Sequence, residues 1–193
     1  KEAPDYETKT SYSITLTLTD GTVTVDKDVT IAIVDINDAA PVFTSDATFS
    51  AAENQTSIGT VTANDPEGNS FTFSISGDEL AITSEGVLTF VTAPDYETKT
   101  TYTATVTVTD TDDNAATQEI TVNVTNVNDN NPVFTSNSTF SVAENESSIG
   151  TATATDADGD DVTFTVSGSE LEITSAGVLT FVTAPDYETK TSY

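Results

Sequence analysis

Two short segments of the sequence are dense in side-chain oxygen atoms. Residues 35–38 read Asp-Ile-Asn-Asp and residues 126–130 read Asn-Val-Asn-Asp-Asn, and Pro-Val-Phe follows each of them within a few positions. Each segment lies between two strand-like apolar runs, which predicts a short connector between β-strands. Carboxylate, amide and main-chain oxygens in a turn are the ligands that a hard divalent cation prefers. The two connectors therefore predict cation sites.

The composition restricts the chemistry further. The chain has 32 acidic residues against 5 basic ones, all of them lysine, so its formal net charge is −27. Such a chain cannot neutralise phosphates, which excludes nucleic acid as a natural partner and disfavours anionic membrane surfaces. It contains no His, Cys or Met, the usual ligands of zinc and copper. Oxygen ligation remains, and the alternative explanation of the acidity is an adaptation that keeps the chain soluble at high salt.

The sequence repeats itself at a fixed offset. Pro41 and Pro132 are 91 positions apart, and so are Glu53 and Glu144. A unit of about 90 residues is large enough to own a hydrophobic core, unlike the repeats of about 20–45 residues that form solenoids. The numbering predicts the C-terminal part of one repeat at 1–38, a complete repeat at 39–130 and the N-terminal part of a third at 131–193.

The complete repeat has the residue pattern of a β-protein. It is rich in Thr and Val, it shows no convincing 3.6-residue apolar period, and clusters of Gly, Asp, Asn and Pro separate its apolar runs. Strands are predicted at residues 42–43, 58–63, 71–75, 80–82, 87–91, 102–108 and 120–124. Seven short strands in one unit predict an all-β fold class of tandem seven-stranded Greek-key β-sandwiches of the immunoglobulin-like type.

The two outer portions carry complementary parts of this unit. In the opening portion Ile14, Leu16 and Leu18 alternate with Thr, which predicts a strand with one buried face, and Val29 and Ile31 predict a second such strand. The closing portion repeats the first five strands. Neither part covers its own apolar face. We therefore expect the closing strands of one molecule to join the opening strands of a neighbour head to tail, unless the chain is a window on a longer array.

The polar motifs in the loops resemble those of the cadherin repeat over the whole chain. The Glu near the start of the family's repeat resembles Glu53, with Glu144 as its copy. The family's acidic pair, usually written Asp-Arg-Glu, looks like Asp-Tyr-Glu at 95–97, with copies at 5–7 and 186–188. On this resemblance the three portions are parts of cadherin-like repeats.

Three further motifs complete the resemblance. The family's Asp-x-Asp pair is similar to Asp156 and Asp158, and with a longer second side chain to Asp65 and Glu67. The Asp that ends the penultimate strand corresponds to Asp110. The two connectors resemble the family's Asp-x-Asn-Asp-Asn linker between repeats, and this implies Ca²⁺ at each junction as the cofactor.

The implied calcium ligands are the acidic and amide residues of these motifs. They are Asp5, Glu7, Asp35, Asn37, Asp38, Glu53, Asp65, Glu67, Asp95, Glu97, Asp110, Asn128, Asp129, Asn130, Glu144, Asp156, Asp158, Asp186 and Glu188. The sequence departs from the family where Asn126 replaces the first linker Asp, where Ala39 replaces the last linker Asn, and at Glu67. The loss of a shared carboxylate at Asn126 predicts fewer or more weakly held ions at the second junction.

The resemblance implies a structural adhesion module at the cell surface, in which calcium stiffens an extracellular stalk. The near-identical, Thr-rich repeats resemble large bacterial surface adhesins more than animal cadherins. The partners expected are neighbouring repeats of the same protein. The alternative is a calcium-dependent carbohydrate-binding module that engages polysaccharide, although the chain has no Trp for sugar stacking.

An enzyme is not expected from this sequence. A glycosidase using two carboxylates would be the chemistry to consider, but each candidate pair recurs at junction positions, where the role of metal ligand explains it better. No apolar run approaches the ~20 residues of a membrane-spanning helix, and no signal peptide opens the chain. No membrane insertion is therefore expected in this segment.

Overall fold

The computed structural model describes residues 3–193, and its regular secondary structure is entirely β. Lys1 and Glu2, the first two residues of the predicted opening portion, lie outside the described residues. The chain divides into two compact units, Lys1–Thr125 and Asn126–Tyr193. The predicted repeat boundaries after residues 38 and 130 stay predictions. Within residues 3–193 no helix is long and apolar enough to cross a membrane.

The opening portion is a single antiparallel hairpin. Its strands are β1, Ser11–Thr19, and β2, Thr24–Ala32. Both strands form as the alternation of Thr with Val, Ile and Leu predicts, because β-branched side chains favour extended backbone. The predicted buried face is wrong for this chain: Leu16 is 53% and Leu18 75% exposed, since no second sheet of the described residues packs on the hairpin as one does in the complete repeat.

The complete repeat is a two-layered sandwich. Its strands are β3 Val42–Phe43, β4 Thr48–Ala52, β5 Ser57–Thr60, β6 Ala63–Asn64, β7 Phe71–Ile75, β8 Leu80–Ile82, β9 Val87–Phe90, β10 Thr101–Asp110 and β11 Ala115–Thr125. One sheet has the order β4-β11-β10-β7 and the other β5-β9-β8, with β3 paired to β6. All pairs are antiparallel except β4 with β11. The predicted Greek-key sandwich is confirmed.

The core of the repeat lies between these two sheets. Leu88 on β9 faces Val106 and Val108 on β10 and Val122 on β11, and all four side chains are fully buried. The alternation predicted for strands 102–108 and 120–124 therefore puts the apolar side chains on the inner face. Burying such a side chain contributes roughly 1.5–3 kcal/mol, which is the main source of stability in a domain without disulfides.

One predicted strand needs correction, and one strand was not predicted. The strand predicted at residues 58–63 is divided into β5 and β6, because its first part pairs with β9 and its last part with β3. The strand β4 was missed, because its sequence Thr-Phe-Ser-Ala-Ala has only one large apolar side chain. Its partner β11, with which it pairs in parallel, is far away along the chain. Gly86 has φ +90° and lies so close to Val61 O that a Cβ would collide with it, which explains glycine here.

The closing unit repeats only one of the two sheets. Its strands are β12 Val133–Phe134, β13 Ser148–Thr151, β14 Ala154–Thr155, β15 Leu171–Ile173 and β16 Val178–Phe181. They pair as β12-β14 and as β13-β16-β15, in the same way as their counterparts β3-β6 and β5-β9-β8. The strand expected at 162–166, the copy of β7, is not formed. β7 pairs with β10, and the described part of the closing unit has no copy of β10 to pair with.

Candidate metal centre

Three carboxylates from distant parts of the first unit lie close together. Glu7 precedes β1, Asp38 is in the connector between β2 and β3, and Glu67 is in the turn between β6 and β7. One carboxylate oxygen of each lies within 4.8 Å of the other two. Negative groups at this distance repel one another, and a divalent cation is the natural means of neutralising them.

The turn between β6 and β7 is held by Asp65, which is only 4% exposed. Its Oδ1 accepts hydrogen bonds from the backbone N–H groups of Glu67 (3.1 Å) and Asn69 (2.9 Å). Its Oδ2 is buried and accepts no hydrogen bond from any residue within 3–193. A buried carboxylate oxygen without a donor is unfavourable unless a cation binds it.

Glu67 shows the same imbalance. Its Oε2 accepts a long hydrogen bond from Ala39 N–H (3.4 Å), while its Oε1 is buried and has no donor in the described chain. Burial, followed by the negative charges of Asp65, Asp38 and Asp35, raises the pKa of Glu67 above its ordinary value, although the Ala39 N–H opposes this. In the folded chain the ionised form of this group is therefore disfavoured.

The connector residue Asn37 points a third such oxygen into the protein. Its Oδ1 is buried and finds no donor among residues 3–193. Its Nδ2 donates to Thr111 Oγ1 (3.5 Å), and its main-chain oxygen accepts from Asn114 Nδ2 (3.2 Å). The amide is thus oriented with its nitrogen towards the β10–β11 loop and its oxygen free to act as a ligand.

Asp110, at the end of β10, is 7% exposed and well supplied with donors. Its Oδ1 accepts from the N–H groups of Asp112 (2.9 Å) and Asn114 (2.8 Å), and its Oδ2 from Asn114 Nδ2 (2.9 Å). Burial alone would raise the pKa of Asp110, but the hydrogen bonds from Asn114, Asp112 and Asn37 outweigh it and lower the pKa. This carboxylate is therefore kept ionised.

The donor set of the first unit fits a calcium ion. All candidate ligand atoms are oxygens, and three of them, on Asn37, Asp65 and Glu67, are buried without donors in the described chain. Ca²⁺ takes six to eight such oxygens in a flexible geometry, whereas zinc prefers nitrogen and sulfur. The residues that could hold the ion are Glu7, Asp38 and Glu67, whose carboxylates lie close together, and Asn37 and Asp65, which have buried oxygens without donors in the described chain.

At the other end of the complete repeat, a second pair of predicted residues meets. Glu53, which is 3% exposed, accepts a hydrogen bond from Tyr96 N–H at its Oε2 (2.8 Å). Glu53 and Glu97 each offer a carboxylate oxygen within 4.8 Å of the other. Asp95 instead accepts hydrogen bonds within its own exposed turn, from Thr98 N–H (3.2 Å) and Thr98 Oγ1 (2.9 Å).

The closing unit repeats the acidic turn of the complete repeat. Glu144, Asp186 and Glu188 each offer an oxygen within 4.8 Å of the others, and all three are exposed. Glu144 Oε2 accepts from Tyr187 N–H (3.1 Å), as Glu53 does from Tyr96. The hydrogen bond of this glutamate is therefore repeated, whereas Asp186 joins the carboxylate cluster of its unit and its counterpart Asp95 does not.

A further acidic group lies in the turn after β14. Asp156, Asp158 and Asp160 offer oxygens within 4.8 Å of one another. Asp160 was missed by sequence reasoning, because the complete repeat has Asn69 at its place and the motif was read only over its first two acidic positions. Asn128 lines the same cleft as Asp156 and Asp160.

The connector of the closing unit is tied to Asp158 by hydrogen bonds. Asp158 Oδ2 accepts from the N–H groups of Asp129 (3.1 Å) and Asn130 (2.8 Å), and Oδ1 from Asn130 Nδ2 (3.2 Å). Asn126, the counterpart of Asp35 in the first connector, donates its Nδ2 to Asp158 O (2.8 Å). Asp129 and Asp158 also offer carboxylate oxygens within 4.8 Å of each other.

The structure leaves some predicted ligands outside these groups. In residues 3–193, the predicted acidic ligands that belong to none of the carboxylate clusters are Asp5, Asp35, Asp65, Asp95 and Asp110. Asp5, like Asp95, accepts hydrogen bonds inside its own turn, from Glu7 N–H (3.0 Å) and Thr8 Oγ1 (2.8 Å). Their role as ligands stays a prediction.

Comparison with known proteins identifies the fold. Residues 37–125 match a protein-family model described as a bacterial Ig domain. The structure is similar to mouse cadherin-23 EC22-24, with a TM-score of 0.70 at 23% identity over 97% of this chain and 68% of that chain. Among curated proteins, none matches the chain significantly.

Two protocadherin structures are similar to the same extent. Protocadherin gammaB7 EC3-6, described as a cis-dimer, has a TM-score of 0.73 at 23% identity over 94% of this chain and 54% of that chain. The extracellular cadherin domains 3-6 of protocadherin gamma B2 give 0.70 at 22% identity over 94% and 53%. The chain thus spans about half the length of these two structures, and the likeness shows that its repeats have the cadherin-type, Ig-like fold.

Proposed function

Because the repeats have the cadherin-type, Ig-like fold, we propose that the chain is a calcium-dependent structural module of an extracellular, cell-surface adhesion protein. The observation that supports this most strongly is the set of buried oxygens without donors on Asn37, Asp65 and Glu67. Native proteins rarely leave buried polar atoms unpaired, so such a set needs a partner of another kind. A hard cation is the partner that fits oxygens only.

Calcium at the first connector would tie together segments that are far apart in the sequence. Glu7 comes from the opening portion, Asp38 from the connector and Glu67 from the complete repeat. When bound, the ion neutralises the negative charge of these carboxylates. The ligands themselves hold their segments in place, and a connector whose residues ligate one ion loses freedom to bend.

Binding of this kind also stabilises the fold. A ligand that binds only the folded chain adds RT ln(1 + [L]/Kd) to the free energy of unfolding, or about 2.7 kcal/mol at 100 times Kd. Calcium sites of extracellular modules have Kd values of about 10⁻⁴–10⁻³ M. Calcium at about 1 mM would occupy such sites to about one half to nine-tenths, and this supports an extracellular module in the proposal.

The partners in this proposal are further repeats of the same kind. The exposed inner face of the β1–β2 hairpin, with Leu18 75% exposed, is the face that a sheet like β5-β9-β8 covers in the complete repeat. A neighbouring repeat joined head to tail would cover it with the same chemistry. Sedimentation velocity of the purified chain tests this: a chain that stays monomeric at all concentrations contradicts association between copies.

Isothermal titration calorimetry with calcium, with magnesium as the comparison ion, tests the proposed function. We expect saturable calcium binding and a higher melting temperature in calcium than in EDTA. Glu67→Gln should weaken the binding, whereas Asp78→Asn removes an exposed charge from the β7–β8 turn and should leave it unchanged. A wild-type chain with no calcium binding and the same melting temperature at about 10 mM calcium as in EDTA would refute the proposal, since that concentration exceeds the expected Kd at least tenfold.

A further inference from the structure

One side chain of the β10–β11 loop joins the first connector to the complete repeat. Asn114 Nδ2 donates both to Asn37 O (3.2 Å) and to Asp110 Oδ2 (2.9 Å). Its own N–H donates to Asp110 Oδ1 (2.8 Å). A single amide therefore fixes the orientation of a candidate ligand carboxylate and the position of the connector backbone.

The same loop also orients the side chain of Asn37. Thr111 Oγ1 accepts from Asn37 Nδ2 (3.5 Å), which directs the nitrogen to the loop and leaves Oδ1 as the buried atom without a donor in the described chain. The connector residue is thus held at two points, its main-chain oxygen and its amide nitrogen. Both contacts come from the loop that also carries Asp110.

The loop adopts an unfavourable backbone conformation to make these contacts. Asp113, the residue before Asn114, has φ +68°. Asp tolerates the left-handed region better than most residues but still at some energetic cost, and such a conformation persists only where surrounding contacts impose it. Here those contacts are the hydrogen bonds of Asp110 with Asp112 N–H (2.9 Å) and with Asn114.

The opening hairpin shows what the loop is like without this amide. Asp20 takes the place of Asp110, and its N–H donates to Val23 O (3.3 Å) as Asp110 N–H donates to Asn114 O (3.0 Å). Val23 therefore stands where the complete repeat has Asn114, and valine has no side-chain donor. The hairpin β1–β2 still forms with its loop one residue shorter, so the pairing of the two strands does not require asparagine here.

We propose that Asn114 is a positioning residue for the first connector: it sets the Asn37 carbonyl and the Asp110 carboxylate in place before a cation binds. This rests on the proposed calcium site. A donor in the second layer around a metal site orients the ligands, and its loss typically weakens metal affinity about 10–100-fold. Asn114 is the residue in this role because it contacts both the connector and the ligand-bearing strand.

The test is Asn114→Val, the residue that the opening hairpin has at this place. Asn123→Val on β11 makes the same chemical change on a side chain away from the connector and is the matched control. In a calcium titration followed by residue-resolved NMR, the amide of Asp38 should report a Kd about 10–100-fold higher for Asn114→Val than for wild type. Asn123→Val should leave this Kd unchanged.

A second measurement separates positioning from general stability. In EDTA, the Ala39 N–H that donates to Glu67 Oε2 should exchange with solvent faster in Asn114→Val than in wild type, while amides of β9 exchange at the same rate. Equal calcium affinity at the first connector and equal Ala39 exchange would overturn the proposal. A wild-type chain that binds no calcium contradicts the proposed function instead, and faster Ala39 exchange would then still show that Asn114 holds the connector.

Discussion

Replacing Glu67 by glutamine separates the cost of its charge from its use as a ligand. Burial and the neighbouring carboxylates raise the pKa of Glu67 in the folded, calcium-free chain. The folded state thus holds this proton more tightly than the unfolded state, whose pKa is near 4.5. Ionisation weakens folding as the pH rises through the folded-state pKa, and it has no effect below the unfolded pKa.

Glutamine keeps the shape of the side chain but cannot ionise. In EDTA we therefore expect Glu67→Gln to melt at a higher temperature than wild type at pH 7, and at the same temperature below the unfolded pKa. With calcium at pH 7 the order should reverse, because the variant has lost a carboxylate ligand. At a cation site, a ligand carboxylate is expected to destabilise the fold without the ion and to stabilise it with the ion bound.

The size of the calcium effect follows from linkage. With a Kd of about 10⁻⁴ M, wild type gains about 2.7 kcal/mol at about 10 mM calcium. At about 2–8 °C per kcal/mol for domains of this size range, the melting temperature should rise by roughly 5–20 °C. A tenfold weaker Kd in the variant would about halve this rise.

Differential scanning calorimetry in EDTA and in calcium, at pH 7 and at about pH 3.5, measures all four values; the lower pH lies below the ordinary Glu pKa. Asp78→Asn is the control, because Asp78 is exposed in the β7–β8 turn. The reasoning fails if Glu67→Gln lowers the melting temperature in EDTA at pH 7. It fails equally if calcium raises the melting temperatures of variant and wild type by the same amount.

Three further predictions concern the complete repeat and are measured by urea unfolding in EDTA. Leu88→Ala should destabilise by about 2–5 kcal/mol, since Leu88 is fully buried between the sheets, and a smaller loss than for an exposed leucine would contradict the core assignment. Gly86→Ala should cost about 1–3 kcal/mol from its positive φ, and more from the collision of Cβ with Val61 O, whereas Gly77→Ala has the φ term only. Lys99→Met should change the free energy of unfolding by less than about 1 kcal/mol, because the side chains of its ion pair with Glu79 are 41% and 53% exposed. A larger loss would show that the cation–π contact of Lys99 with Tyr102 contributes to stability.

Local sequence patterns predict those strands whose partners are also present. Residues 71–75 and 80–82 were predicted from alternation between turn residues, and they are β7 and β8 with the same bounds. Residues 162–166 carry the same pattern as β7 but form no strand. The difference is the partner strand β10, which β7 has and the described closing unit lacks. A segment thus forms a strand only when its partner strand is present, and the pattern of the segment alone cannot predict this.

The candidate site also contains residues that a local motif predicts and one that it does not. Asp65 and Glu67 lie two positions apart, and a short motif can predict them. Asn114 acts through the carbonyl of Asn37, which is 77 positions away, so no local spacing relates the two. The one signal available was that the loop after Asp110 is a residue longer than the loop after Asp20. A difference between internal repeats marks such a residue more clearly than either repeat alone.

The acidic side chains of the two connectors are stabilised in different ways. In the first, Glu67 receives one long bond from Ala39 N–H (3.4 Å) and keeps a buried oxygen without a donor in the described chain. In the second, Asp158 at the equivalent place accepts from Asp129 and Asn130, with bonds of 2.8–3.2 Å. Asn126 supplies an amide donor where the first connector has the charged Asp35. The number of charges is the same, because Asp160 replaces Asn69 as Asn126 replaces Asp35, but the additional donors stabilise the ionised Asp158 without a cation. Under the proposed function, the second connector is therefore held more by its own hydrogen bonds, and the first more by the ion that its oxygens would bind.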